Sequence, residues 1–140
     1  MKLSRTIAYA VQAILQLAAA PPGTPVACGR LAADGRMPER FLLQVLRSLV
    51  RAGILRSVRG VEGGYLMGRD AADISLLDVL EALDNPVIPS VPPLEGLPDA
   101  ARQRMLATLN RVAAVTRQEL SRVTMAQLGS PTQPAPADGT

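Results

Sequence analysis

The sequence contains no histidine and only one cysteine, Cys28, among its 140 residues. Histidine is the commonest general base and metal ligand in proteins. Its absence excludes Ser-His-Asp and Cys-His catalytic arrangements and argues against a structural zinc site. A mechanism that uses only carboxylates, or Lys and Ser, remains open. However, the acidic residues are scattered, and the chain has no Gly-x-x-x-x-Gly-Lys motif for binding phosphate. The sequence therefore predicts a protein that is not an enzyme.

Long apolar runs are also missing, since none reaches the roughly 18 residues that a membrane-spanning helix needs. The single cysteine excludes an internal disulfide bond and is typical of the reducing cytoplasm, so we expect a cytoplasmic protein. Residues 1–20 resemble a secretory leader in their basic start and alanine-rich end. Gln12 and Gln16 interrupt the apolar stretch, however, and the spacing indicates an amphipathic helix that Ser4 caps and Pro21 ends.

Aromatic residues make up only 2% of the sequence and tryptophan is absent. The core must therefore consist of Leu, Val, Ile, Ala and Met, which favours helix-on-helix packing in one domain. Charge is divided unevenly: residues 1–70 hold ten basic and four acidic side chains, a net charge of +6, whereas residues 71–140 hold five and eight, a net charge of −3. A basic half predicts contact with a polyanion. A solvated surface without a partner is the alternative.

The most informative segment, residues 54–67, predicts a β-hairpin. Two short apolar runs, starting at Ile54 and Tyr65, flank a tip that carries Arg59 and Gly60. Such a hairpin after an arginine-rich helix is typical of the wing of a winged helix-turn-helix. Glycine lets the backbone approach a sugar-phosphate surface, and arginine can enter the minor groove. For the hairpin taken alone, a plain surface turn is an equal alternative.

The preceding residues predict the helix-turn-helix itself. A short helix is predicted over residues 26–34, ending at Gly35, and a second helix runs from Pro38 to about Ala52. The apolar positions of the second helix recur every three or four residues and are Phe41, Leu42, Val45, Leu46, Leu49 and Val50. Its other face displays Glu39, Arg40, Gln44, Arg47 and Arg51. Because Gln can bond adenine and Arg can bond guanine or phosphate, this is the predicted recognition helix.

The second half predicts a dimerisation unit. Ser75 and Asp78 have the spacing of a capping box, residues 85–98 form a Pro-rich loop, and residues 129–140 form a disordered tail. Between loop and tail, a long helix over residues 99–123 carries an apolar stripe of Leu106, Leu109, Val112, Ala113, Leu120 and Val123. A chain of this size has little left to cover the stripe, so we expect a second subunit to do so. Packing within the chain's own core is the alternative.

These motifs together resemble the Rrf2 family of bacterial winged-helix regulators. The N-terminal part of the resemblance consists of Leu3-Ser4-Arg5 with Tyr9-Ala10, and Pro38-Glu39-Arg40-Phe41-Leu42. The more specific part is Ser57-Val58-Arg59-Gly60 before Gly63-Gly64-Tyr65-Leu66, followed by Ile74-Ser75-Leu76-Leu77-Asp78-Val79. The run from Leu120 to Leu128 is similar to the end of the family's dimerisation helix and its short terminal helix.

The resemblance implies a mainly α-helical fold with a small β-hairpin. It places a winged helix-turn-helix over residues 1–84 and a dimerisation helix with a short terminal helix over residues 99–128. It implies a homodimeric transcription regulator, usually a repressor, that binds double-stranded DNA. Candidates for base contacts are Glu39, Arg40 and Gln44, following Pro38. Arg59 and Gly60 are the minor-groove candidates, and Arg5, Tyr9 and Arg47 are the phosphate candidates. A protein-interaction or small-ligand module that has lost DNA binding is the alternative.

Two departures from the family pattern change what we expect. Members that hold an iron–sulfur cluster place three cysteines between residues corresponding to 85 and 99, where this chain has none, so we expect no cofactor. Ala27 also stands where the family has a capping serine. Cys28 lies at the start of the first helix of the helix-turn-helix. Its role is either a redox switch or simple packing, and the usual burial of free cysteines favours packing. The sequence leaves open a small-molecule or protein effector, which it does not identify.

Overall fold

The computed structural model describes residues 3–84, 87 and 95–130. Within these residues the chain forms six α-helices, a 3₁₀ turn (Ala71–Asp73) and one two-stranded antiparallel sheet. The elements are α1 (Arg5–Ala19), α2 (Cys28–Gly35), α3 (Glu39–Arg51), β1 (Leu55–Val58), β2 (Gly64–Met67), α4 (Leu76–Ala82), α5 (Asp99–Ser121) and α6 (Met125–Gly129). The predicted mainly α-helical fold with a small hairpin is confirmed. Most of the predicted Pro-rich loop, and the predicted tail from residue 131 onward, lie outside the described residues.

The core forms between α1 and α3, with α2, α4 and α6 packed around them. The apolar residues of α1 at spacings of three and four are buried, and they are Ile7, Ala10, Ala13, Ile14 and Leu17. The buried face of α3 consists of Leu42, Val45, Leu46 and Leu49. From α6, Met125 is also fully buried. Removing a side chain such as Leu46 from water contributes about 1.5–3 kcal/mol, so this small aliphatic core can hold the helices without tryptophan.

The two predicted helix caps differ in outcome. Ser75 and Asp78 form a full capping box: Ser75 Oγ accepts a hydrogen bond from the Asp78 N–H at 3.0 Å, and Asp78 Oδ2 accepts one from the Ser75 N–H at 2.9 Å. Ser4 occupies the N-cap position of α1, but its side chain accepts no capping hydrogen bond. The predicted position of the Ser4 cap is therefore right, and its predicted hydrogen bond is not present.

The turn of the helix-turn-helix differs from the prediction. Gly35 is the last residue of α2 rather than its breaker, and Arg36 takes the left-handed conformation, with φ of 54°. Glycine at position 35 lets α1 approach α2 closely, because a Cβ there would lie 2.6 Å from Gln12 Nε2. The helix also starts at Cys28 rather than at residue 26, because the backbone of Val26 pairs with Tyr65 instead.

The hairpin comes directly after α3 in the chain. Its register pairs Leu55 with Met67 and Val58 with Gly64. Residue 54 precedes the first strand and is buried in the core, with 1% of its surface exposed. The predicted hairpin is thereby confirmed, with β1 one residue shorter than expected.

Helix α5 spans 23 residues, about 34 Å at the usual rise, and none of its residues is fully buried. Its C-terminal part is attached to α4: Arg117 pairs with Glu81 at 2.8 Å, and the Leu76 N–H donates to Val123 O at 2.8 Å just beyond the helix. The predicted apolar stripe is split accordingly. Ala113, Leu120 and Val123 are half-buried, and the remaining apolar residues face solvent. None of the helices in the described parts is long and apolar enough to cross a membrane.

Candidate nucleic-acid interface

The outward face of α3 carries a row of polar and cationic side chains. Arg40, Gln44, Arg47 and Arg51 are all exposed and recur at spacings of three and four, which places them on one side of the helix. The buried leucines and valine of α3 lie on the opposite side and fix the orientation of this face. The structure therefore brings together three of the predicted contact residues, Arg40, Gln44 and Arg47, with Arg51 beside them.

Glu39 points elsewhere. It lies about 100° round the helix from Arg40, and a Cβ built on Gly29 would be 3.3 Å from Glu39 Oε1. Its carboxylate thus lies against the first turn of α2, although the residue is exposed. Pro38 is the exposed N-cap residue of α3, with φ of −63°. Base contact by Glu39 stays a prediction, and its position beside α2 makes it a weaker candidate than Arg40 or Gln44.

An aromatic pair joins α1 to the start of α3. The rings of Tyr9 and Phe41 meet edge to face, with centroids 5.6 Å apart and planes at 74°. Phe41, which the periodicity placed in the core, is 39% exposed because it packs sideways against Tyr9 rather than inward. Arg5 lies one helical turn before Tyr9 and is exposed. Of the two predicted phosphate contacts from α1, Tyr9 therefore adjoins the recognition helix, whereas Arg5 lines an open groove with Ala8 and Val11.

The wing displays its tip to solvent. Arg59, Gly60 and Val61 are exposed, and Gly60 has φ of +115°, a conformation that favours glycine. At its base, Tyr65 exchanges two backbone hydrogen bonds with Val26, at 2.9 and 3.0 Å. Gly64 permits this approach, because a Cβ there would lie 2.4 Å from the Val26 carbonyl. The wing is thus held to the segment that enters the helix-turn-helix.

The arginines of α3 and the wing form none of the described ion pairs. Within the described residues, the arginines that form ion pairs are Arg30 with Asp34, Arg69 with Asp78, Arg102 with Asp99, Arg117 with Glu81 and Arg122 with Glu119. None of the described ion pairs involves the five arginines of α3 and the wing, which are Arg40, Arg47, Arg51, Arg56 and Arg59. We call this set the arginine face. It leaves concentrated positive charge available to an anionic partner.

Two residues important for the geometry were not predicted as such. Gln12 Nε2 donates to Gly35 O at 2.7 Å, and Gln16 Nε2 donates to Leu31 O at 3.3 Å. Both bonds tie α1 to α2 near the turn. The sequence contained a signal for them, since two glutamines four residues apart on one face of a mainly apolar helix need polar partners. Their partners are backbone carbonyls, which the sequence pattern does not identify.

Cys28 lies where α2, α3 and the wing meet. Its Sγ is 3.8 Å from Glu39 O, and it is partly buried. Burial, and secondarily the Glu39 carboxylate, raise the pKa of the Cys28 thiol. Burial likewise raises the pKa of Tyr65, which faces the same junction. A raised thiol pKa disfavours the reactive thiolate, which supports packing rather than a redox switch as the role of Cys28.

A helix-turn-helix with an exposed cationic second helix and an attached hairpin defines the winged-helix class of DNA-binding proteins. Residues 3–131 match the Rrf2 family, described as "Iron-dependent Transcriptional regulator". The chain belongs to the Rrf2 family of transcriptional regulators.

Relatives support this assignment over different lengths of the chain. An HTH-type transcriptional regulator of Mycobacterium tuberculosis is 42% identical over 87 residues, which cover 62% of this chain and 54% of that protein. The chain thus spans about half the length of this relative. The solved structure of CymR, the global cysteine regulator of Bacillus subtilis, has a TM-score of 0.74 at 27% identity and covers 95% of this chain and 99% of that one. A transcriptional regulator from Listeria innocua has a TM-score of 0.75 at 30% identity, covering 100% and 94%.

The iron in the family description does not fit the donors of this chain. An iron–sulfur cluster is held by several thiolates, and the sequence has one cysteine and no histidine. That cysteine lies in α2 with a raised pKa, whereas a ligating thiol must lose its proton. In the described parts of the chain, no three His, Cys, Asp or Glu side chains are grouped as a metal site would require. The residues present therefore do not match a cluster.

Proposed function

We propose that the chain binds specific double-stranded DNA as a cytoplasmic homodimer and represses transcription without an iron–sulfur cluster. The observation that carries this proposal is the arginine face on α3 and the wing, which no described acidic side chain neutralises. Clustered cations without partners attract the phosphate backbone and release its counterions on binding. Because these exposed arginines form none of the described ion pairs, we expect an external anion to be their partner.

In the proposed complex, α3 enters the major groove and the wing lies along the neighbouring minor groove. Arg40 and Gln44 face base edges, and Arg59 enters the minor groove, where narrow A·T-rich sequence concentrates negative potential. Arg47, with Arg5 and Tyr9 from α1, contacts phosphates and sets the orientation of the protein. Two copies related by a two-fold axis would read two half-sites in successive turns of the duplex, so we expect a palindromic operator.

The roles can be separated by titrating single variants against a selected operator and a scrambled duplex at several salt concentrations. Arg59→Ala should weaken operator binding by about 1–3 kcal/mol, and Gln44→Ala should reduce the preference for the operator with little change in salt dependence. Arg47→Ala should weaken binding to both duplexes alike and lower the slope of log K against log salt by about one.

Arg122→Ala provides the matched control. Arg122 is exposed and pairs with Glu119 at the far end of α5, outside the arginine face, so its loss should leave both affinities unchanged. If Arg59→Ala and Arg47→Ala bind DNA as well as the unaltered protein, the arginine face does not contact DNA. The alternative of a protein-interaction or small-ligand module would then be preferred.

A further inference from the structure

The apex of the wing carries an apolar side chain that the described parts of the chain leave uncovered. Val61 is fully exposed, whereas Val58, at the end of β1, is 39% exposed. Turns usually have glycine, proline or short polar residues at such positions. Burial in the core does not account for a valine here, so we expect Val61 to act at the surface.

The turn at the apex is closed and presents Val61 in a defined position. The Gly63 N–H donates to Gly60 O at 3.0 Å, so residues 60–63 form a β-turn with Val61 and Glu62 at its two central positions. A Cβ at Gly63 would overlap the carbonyl oxygen of Val58, which shows how tightly the turn packs on the end of β1. The side chains of Val61 and Glu62 are both exposed.

Val61 lies two residues after Arg59, the proposed minor-groove residue. An extended chain advances at most about 3.6 Å per residue, so the Cα atoms of Arg59 and Val61 are within about 7 Å of each other. This distance corresponds to about two steps along one DNA strand. When Arg59 enters the minor groove, Val61 therefore reaches the same groove at a neighbouring base pair.

The methyl groups of Val61 treat the two kinds of base pair differently. In the minor groove an A·T pair presents only hydrogen-bond acceptors, whereas a G·C pair adds the amino group of guanine, a donor. The Arg59 guanidinium supplies donors for the acceptors of A·T pairs. A valine side chain has no acceptor, so it would displace water from the guanine amino group and leave that donor without a partner. An unsatisfied donor of this kind is costly.

We propose that Val61 is a specificity-determining residue, which rejects a G·C pair in the minor groove beside the Arg59 site. The inference rests on the proposed function and adds a different kind of contact to it. Arg59 favours A·T-rich sequence by attraction, whereas Val61 acts against the competing sequence by penalising one of its groups.

Modified bases test this inference, because 2,6-diaminopurine adds to adenine the minor-groove amino group of guanine and keeps the major-groove pattern of adenine. Duplexes of the selected operator carry the analogue at one A·T pair at a time, and affinity is measured for the unaltered protein and for Val61→Ala. For the unaltered protein we expect a loss of about fivefold or more at a pair under the wing in each half-site. Val61→Ala should remove most of this penalty, since the smaller side chain admits water to the added amino group.

Glu62→Ala is the matched control, because it changes the neighbouring side chain of the same turn. Removing a carboxylate close to phosphates should raise the affinity for modified and unmodified duplexes alike, and the penalty for the analogue should stay. Both side chains are exposed, so the two variants should unfold at the same temperature as the unaltered protein.

The outcomes separate this inference from the proposed function. A penalty that Val61→Ala removes and Glu62→Ala keeps supports the inference. An equal penalty in the unaltered protein and in Val61→Ala overturns it, as does the absence of a penalty at every pair. Tighter binding to a modified duplex also overturns it, because the Glu62 carboxylate would then be accepting a hydrogen bond from the added amino group. In these three cases the protein still binds its operator and the proposed function stands, whereas both fail if the unaltered protein binds no duplex.

Discussion

Gln12 links the first helix to the turn of the helix-turn-helix. Its amide donates to the carbonyl of Gly35, one of the unpaired carbonyls at the end of α2. The next residue, Arg36, is in the left-handed conformation, which ends α2 and turns the chain towards the start of α3. Gln12 also lines an open apolar groove along α1. This one side chain therefore lines a surface groove and also contacts the element that orients the recognition helix.

Replacing Gln12 with Glu should destabilise the fold although the side chain keeps its size. A carboxylate cannot donate to Gly35 O, and two oxygens would then face each other, so we expect a loss of about 1–3 kcal/mol in the free energy of unfolding. Urea denaturation measures the change. Gln103→Glu makes the same chemical substitution at an exposed position of α5 and should have little effect. Equal stabilities of the Gln12→Glu and Gln103→Glu proteins would contradict this role of Gln12.

Cys28 should make stability depend on alkaline pH. Because the pKa of its thiol is raised in the folded protein, the folded state holds this proton more tightly than the unfolded chain does. The resulting stability is complete below the ordinary thiol pKa and is lost as the pH rises towards the folded-state pKa. Thermal unfolding at neutral pH and at about pH 10 should therefore show a smaller loss for Cys28→Ser than for the unaltered protein. The pKa of Tyr65 is also raised, mainly by burial, and this part of the loss is common to both proteins. An identical loss in both proteins would show that Cys28 does not contribute.

Among the helices, α4 has a full capping box whereas α1 lacks a side-chain cap bond. Ser75→Ala removes the acceptor of the Asp78 N–H and should reduce the free energy of unfolding by about 1 kcal/mol. Ser4→Ala is the matched control, since Ser4 holds the same position in α1 without that bond, and its effect should be much smaller. Chemical denaturation of the two variants gives the comparison. A larger loss for Ser4→Ala would mean that the described cap geometry does not govern these helices.

Elements defined by local patterns could be predicted from sequence, and those defined by long-range contacts could not. The hairpin, α3 and the capping box of α4 follow from turn glycines, apolar spacing and the pair Ser75 and Asp78. The start of α2 could not be placed, because Val26 pairs with a residue 39 positions later, Tyr65. The role of Gly35 was also hidden, since it depends on how closely the amide of Gln12 approaches.

The candidate interface shows the same division. Helical spacing was sufficient to group Arg40, Gln44 and Arg47 on one exposed face, and the wing tip was evident from its glycines. Spacing alone could not show that Glu39 lies against α2, or that Phe41 packs sideways on Tyr9. Both depend on the angles at which neighbouring helices meet, which the sequence of one helix does not specify. The contact roles of these residues stay predictions until DNA binding is measured.

As a whole molecule, the protein should be colourless and free of iron when purified without oxygen. One cysteine and no histidine leave too few donors for a cluster, even when two subunits are combined. Visible absorbance, together with iron and sulfide analysis, tests this directly, and adding a chelator should leave DNA affinity unchanged. Iron and sulfide in stoichiometric amounts would contradict the expectation and would require ligands other than thiolates.

The division of α3 into two faces affects how this molecule can change over generations. Leu42, Val45, Leu46 and Leu49 hold the helix in the core, whereas Arg40, Gln44 and Arg47 are exposed and outside it. Substitutions on the outward face are thus nearly free of any stability penalty. A duplicated gene could acquire a new target site through one or two such changes while its product remained folded. For the same reason, this helix is a suitable starting point for engineering regulators with altered targets.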